Sequence, residues 1–218
     1  MNSIGPLLAA TLVVVVLYAG VGLVVRRVRE RRIERYVFPP VIAGRVGAAY
    51  PHLAAHEIEQ VLDALRDYFV MCNRAGRHMV AMPSQVVDVA WHEFILFTRA
   101  YQQFCRRAFG RFLHHTPAAA MPSPTQADAG LKRAWRLACW RAGLDRKAPT
   151  VLPPLFALDA ALAIPDGFVY QIDCRAANAA PGAYCTSHIG CAGGCGGDSD
   201  GGSDGGSDGG CSGGCGGD

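Results

Sequence analysis

Residues Pro83 to Pro117 read PSQVVDVAWHEFILFTRAYQQFCRRAFGRFLHHTP, and the periodicity of this stretch decides the fold class. On a 100° wheel Val87, Ala90, Trp91, Phe94, Ile95, Phe97, Thr98, Tyr101, Phe104, Cys105, Ala108 and Phe109 cover about half the circumference, a core-facing surface. The opposite arc collects Gln85, Asp88, His92, Arg99, Gln103 and Arg106, with Asp88 and His92 neighbours at i,i+4. Ser84 suits an N-cap and Gly110 a C′ position, which bounds a single helix of roughly 25 residues, about 38 Å long. Such a helix would form the spine of a helical domain.

Two further amphipathic segments flank it. From Leu53 to Asn73 the residues Ile58, Val61, Leu62, Leu65, Phe69 and Cys72 recur at helical spacing, with Gly76 as the stop. From Ala127 to Ala142 a stripe of Leu131, Ala134, Trp135, Ala138 and Cys139 predicts a third helix that ends at Gly143. The segment from Pro149 to Asp173 mixes a short helical turn, an IPDG turn and the extended run FVYQI, and is expected to close the bundle. Pro39, Pro40, Gly44, Gly47 and Pro51 read as breakers, so residues 26–50 are expected to be a basic juxtamembrane segment and linker before a helical domain at 51–189.

Ile4 to Val25 contains no charged residue, and roughly 20 such residues match a bilayer core, so residues 4–25 are read as a transmembrane helix. A secretory signal needs a basic region before the apolar run and a small-residue cleavage site after it, and neither is evident. Instead RRVRERRIER, Arg26 to Arg35, follows with six Arg against two Glu. The positive-inside rule then puts the N-terminus outside and the remainder in the cytoplasm of a single-pass cell-membrane protein. The bilayer is the first expected partner, since those arginines also meet anionic headgroups.

The chain's formal net charge is +3, while the juxtamembrane run alone carries +4 (six Arg less two Glu), so the remainder is close to neutral, and Arg99, Arg106 and Arg107 on the polar face are too few to point to nucleic acid. The chain has 9 Cys, which in a reducing compartment favour thiols or metal ligation over disulfides. Cys72, Cys105 and Cys139 fall singly within helical patterns and read as small buried hydrophobes.

Residues 190–218 are almost wholly Gly, Ser, Asp and Cys, a composition that builds no core and predicts a disordered tail. Two C-x3-C pairs, Cys191 with Cys195 and Cys211 with Cys215, form a candidate four-thiolate Zn site, with Cys185 and His188 as further donors. The GGSD units lack both the apolar residue of β-roll repeats and an EF-hand pattern, so Ca²⁺ is disfavoured.

WHEFILFTRAYQQFC, the FGRFLHHTP after it and LPPLFALDAALAIPDGFVYQID together resemble uncharacterised bacterial glycine-rich domain-containing proteins, over roughly Ala54 to Asp173. The resemblance implies a helical, membrane-anchored protein with a low-complexity C-terminus, and brings no catalytic residues.

A second constellation is His92, His114 and His115, with Asp88 behind them to fix a tautomer, if Gly110 lets the chain turn back to the polar face. WHEFI is not HExxH, because position 96 is Leu, so a metalloprotease helix is excluded. The bland alternative is helix pairing, with His114 and His115 favouring a helix C-terminus. No P-loop, GxGxxG or GxSxG is present, Cys105 lies on the core face, and no fixed base accompanies Cys174 or Cys185. The leading expectation is a membrane-anchored cytoplasmic interaction module, not an enzyme, that meets another protein, carries a metal-binding Cys tail and has no small-molecule substrate legible in its sequence. The alternative is a membrane-tethered metal-dependent enzyme built on the region of Asp88, His92, His114 and His115.

Overall fold

A computed structural model describes residues 4–115, 124–172, 184–186 and 189. The fold is mainly α, with seven helices among the described residues. Helix α1 (Ile4–Glu34) carries the apolar segment and the arginine run as one continuous rod. Its Thr11–Glu34 part is the one helix among the described residues long and apolar enough to cross a membrane; its most apolar 18 residues have a mean hydropathy of 1.9, and 0% of them are buried. A signal sequence satisfies the same criteria of length and composition, and the fold does not orient the helix.

The stretch expected to be a linker contains helix α2 (Pro40–Ala49), and its Ile42 and Val46 are fully buried. The supposed breakers have other roles. Pro40 sits in the first turn, where its missing N–H costs nothing. At Gly47 an added Cβ would stand 3.1 Å from Ile58 Cδ1, so the glycine sets the spacing between α2 and α3 (Ala55–Ala75). Glu57 reaches back to accept from the Ala54 N–H at 2.7 Å, satisfying one donor at the start of α3.

The single spine helix expected from Ser84 to Gly110 is instead two, α4 (Gln85–Leu96) and α5 (Thr98–Ala108), broken at Phe97 with φ −81° and ψ 61°. Neither glycine nor proline marks the break. Aromatic burial accounts for it: in one straight helix Trp91 and Tyr101 would lie about 15 Å apart along the axis. Across the bend the Trp91 Nε1–H donates to Tyr101 Oη at 3.1 Å, and Tyr101 meets Phe94 edge-on with centroids 5.2 Å apart. Thr98, expected on the core face, is exposed as a result, whereas Val87, Ala90, Trp91, Phe94, Tyr101, Phe104 and Cys105 are buried.

Helix α6 (Pro124–Ala142) buries Ala134, Trp135, Ala138 and Cys139 of the expected stripe and half-buries Leu131, and Gly143 follows at φ +68°. The closing segment forms α7 (Pro154–Ala161) and a two-residue strand β1 (Tyr170–Gln171), which pairs in parallel with β2 (Tyr184–Cys185). The expectations for residues 190–218 and for His188 lie outside the described residues.

One buried carboxylate ties the closing segment to the front of the bundle. Asp159 of α7, 2% exposed, accepts from Ser84 Oγ at 2.6 Å, Gln85 N at 2.7 Å, Val86 N at 3.3 Å and Phe168 N at 2.9 Å. Ser84 Oγ in turn accepts from Val87 N at 3.4 Å. The N-terminal donors of α4 are thus satisfied by two side chains, and a negative charge sits where the helix dipole favours it. That cap holds in place the helix bearing Asp88 and His92.

Candidate metal centre

Asp88 and His92 lie one turn apart on the half-exposed face of α4. After α5 the chain reverses at Gly110, whose φ of +70° favours glycine, and returns along α4. Tyr101 Oη fixes that return by donating to the Leu113 carbonyl at 2.5 Å. His115 then seats its ring edge-on against Trp91, centroids 4.4 Å apart.

The two oxygens of Asp88 face two different histidines. Oδ1 is 2.8 Å from His115 Nε2, and Oδ2 is 3.3 Å from His92 Nδ1, which also lies 2.9 Å from the Asp88 carbonyl. The His92 and His115 rings are 4.2 Å apart between centroids. Asp88 therefore stands between the histidines as a third donor, whereas the sequence placed it behind them. His115 is the most enclosed, with 9% of its side chain exposed, against 22% for Asp88 and 47% for His92.

One donor atom from each of Asp88, His92 and His115 lies within 4.8 Å of the others. Ligands about 2.1 Å from a tetrahedral ion sit about 3.4 Å apart, so a slight opening of the trio admits an ion. Two imidazoles and one carboxylate suit Zn²⁺ or a first-row divalent ion such as Fe²⁺ and leave at least one position for water or another ligand. Binding would replace the Asp88–His115 hydrogen bond, so protons compete with the ion for the same atoms.

Asp88, Trp91, His114 and His115 line one side of a cavity of about 620 Å³, and Tyr68 and Tyr170 are among the residues of its other walls. That volume is within the range of small-molecule sites. His114 does not join the trio; its ring packs against Phe112 at 4.9 Å. Cys191, Cys195, Cys211 and Cys215 lie outside the described residues.

The core thiols are poor ligands and nucleophiles. Cys72, Cys105 and Cys139 are free and buried. Burial pushes Cys72 up to about 12 and Cys139 up to about 11, and raises Cys105 as well. Cys185 is disulfide-bonded, which removes its thiolate as an additional ligand for the tail.

Sequence reasoning missed the cavity and Asp159. The cavity is built by segments far apart in the chain, from Tyr68 to Tyr184, and no local pattern announces it. Asp159 lies 75 residues from the Ser84 hydroxyl that it accepts from.

No curated protein and no solved structure matches this chain. The UCP032817-like family model matches residues 28–189, which take in the end of α1 from Val28, all the helices after it and both strands, so the chain belongs to the UCP032817-like family.

Proposed function

We propose that this chain is a membrane-anchored protein whose helical domain holds a divalent transition metal on Asp88, His92 and His115 and presents the ion's open position to a small molecule in the adjoining cavity. The observation that carries the reading is the convergence of three donor groups at the edge of a cavity that two of them line. A metal-dependent reaction on a bound small molecule is thereby favoured over a pure interaction module. The ion's part would be to polarise a ligand or activate a water. Trp91 and the Tyr101–Leu113 bond would hold His115 in place during that step.

Elemental analysis of the full chain, reduced and purified in detergent, tests this. One equivalent of Zn or Fe is expected, retained when Cys191, Cys195, Cys211 and Cys215 are replaced by Ser and lost in His92→Ala and His115→Ala. Metal that follows the four tail thiols would assign the site to the Cys tail and return the helical domain to the interaction reading.

The anchor and its orientation belong to the same proposal, as does the narrower kinship with bacterial glycine-rich proteins. Six arginines directly after the apolar segment favour a cytoplasmic domain. The Cys185 disulfide weighs the other way, because a reducing cytosol opens such bonds. A reporter fused after Asp218 is expected to read as cytoplasmic, and a periplasmic signal would reverse the orientation.

A further inference from the structure

Helix α1 does not end where its apolar part ends, and the way it docks fixes which end of the domain faces the membrane. Near its C-terminus, Glu34 is 2.8 Å from Arg141, which also holds Asp67 of α3 at 2.9 Å. Two turns earlier, Asn73 Nδ2 donates to the Arg26 carbonyl at 3.4 Å. Helix α3 therefore runs back along α1, and its C-terminus arrives beside the first charged residue after the apolar segment. Helix α5 ends there as well, for Gly110 lies so close to Arg29 that a Cβ would collide with the guanidinium.

That end of the domain is strongly basic. Arg74 lies in the last turn of α3 with Arg77 just after it, and Arg106 and Arg107 lie in the last turn of α5 with Arg111 just after it. No Asp or Glu occurs from Tyr68 to Val87 or from Phe94 to Ala127. Among the described residues none of these five arginines pairs with a carboxylate. Arg74 stacks on Trp140 with Cζ 3.7 Å from the ring centroid, and Arg111 donates to the Gly76 and Phe112 carbonyls. Among the acids, Glu30 of α1 has its Oε1 buried, and Asp128, which lines the cavity with Arg77 and Arg111, is 2.8 Å from Lys132. Phe112 is 42% and Trp140 40% exposed, two large rings beside the arginines. Of the acids of α3, Glu57, Glu59 and Asp63 lie toward its other end, with Glu57 about 25 Å from Arg74 along the helix, while Asp67, about 10 Å from Arg74, is held by Arg141.

We propose that this arginine-rich end, with Phe112 and Trp140, rests on the anionic headgroups of the bilayer that α1 spans. The inference rests on the anchor reading and extends it from the α1 arginines to the folded domain. Guanidinium groups without carboxylate partners complement anionic lipid, and tryptophan is at home at the membrane–water boundary. Arg77 and Arg111 also line the cavity, so part of its wall belongs to this end of the domain.

The full chain in nanodiscs tests this, with phosphatidylcholine alone or mixed with phosphatidylglycerol and with brominated lipids as quenchers. The Trp140 contribution is the difference between the chain and its Trp140→Phe variant. It is expected to be quenched in the anionic discs, less so in the zwitterionic ones, and to lose that difference in high salt and in the Arg77→Gln, Arg107→Gln double variant. A circular-dichroism melt matching that of the parent confirms the variant's fold. Trp140 unquenched in inserted protein, or quenched equally in both lipids, overturns the proposal. So does quenching that polyglutamate abolishes at a salt concentration the lipid contact survives, which would assign the face to an acidic protein. A chain that does not float with lipid at all overturns the anchor itself, a separate result.

Discussion

Asp159 does structurally what no sequence pattern announces. Its carboxylate takes four hydrogen bonds, from one hydroxyl and three backbone N–H groups, and so closes the start of α4. An Asp→Asn change keeps the size, but the new amide offers one oxygen and turns an NH₂ toward at least one backbone N–H, which can only donate. Asp159→Asn is expected to cost about 2–4 kcal/mol of unfolding free energy in urea titrations, because buried donors are left unmet. Ser84→Ala should cost about 1 kcal/mol, the usual worth of an N-cap. A loss within about 0.5 kcal/mol for Asp159→Asn, the range of surface changes, would show that water replaces the cap. The candidate metal trio divides in the same way between local and long-range information. The nearness of Asp88 and His92 follows from i,i+4 spacing alone. The arrival of His115 depends on Gly110 at φ +70° and on a Tyr101–Leu113 hydrogen bond that no spacing reveals.

At the level of elements, the helices with unbroken stripes were legible and those shaped by contacts were not. Helix α3 and helix α6 have apolar faces that repeat at 3.6 residues, and both form with the expected residues facing the core, Ile58 and Leu131 only half-buried. The α4–α5 pair also repeats at that period, so periodicity reads it as one rod. Local propensity contains nothing to break it at Phe97. The bend comes from the tertiary advantage of packing Tyr101 and Phe104 edge-on against Phe94. The opposite error occurred at α2, where glycine and proline suggested a linker. Pro40 begins a helix there, and Gly47 lets that helix approach Ile58. Gly47→Leu is accordingly expected to destabilise by about 1–3 kcal/mol through overpacking, even though leucine favours helix more than glycine does. Gly44, with nothing within 4 Å of its absent Cβ, is the control. Gly44→Ala should be neutral or stabilising by up to about 1 kcal/mol. Equal effects at the two glycines would mean that α2 does not pack on α3 as described.

Across the whole molecule the core stores acidic protons that unfolding releases. Burial is the largest cause of the upward shift at Cys72, to about 12, and at Cys139, to about 11; a bond from Tyr68 partly offsets the first, and the charge of Asp145 adds to the second. Burial likewise raises Tyr68, Tyr101 and Tyr170. An unfolded thiol ionises near pH 8.5 and an unfolded tyrosine near 10. These groups are neutral in both states below about pH 8, so they add no pH dependence there. As the pH rises through about 9, the unfolded chain sheds thiol protons that the folded chain keeps, and stability falls until the folded groups ionise too. Each such group contributes a slope of up to about 1.4 kcal/mol per pH unit. The urea midpoint of the full chain in detergent is therefore expected to fall steadily between pH 9 and about 11. The Cys72→Ala, Cys139→Ala double variant removes two of the three buried thiols, leaving Cys105, and should fall more gently below pH 10, where the tyrosines have yet to act. Identical slopes in the parent and the double variant would mean that the two thiols are open to water, and that the core between α3 and α6 is looser than the structure describes.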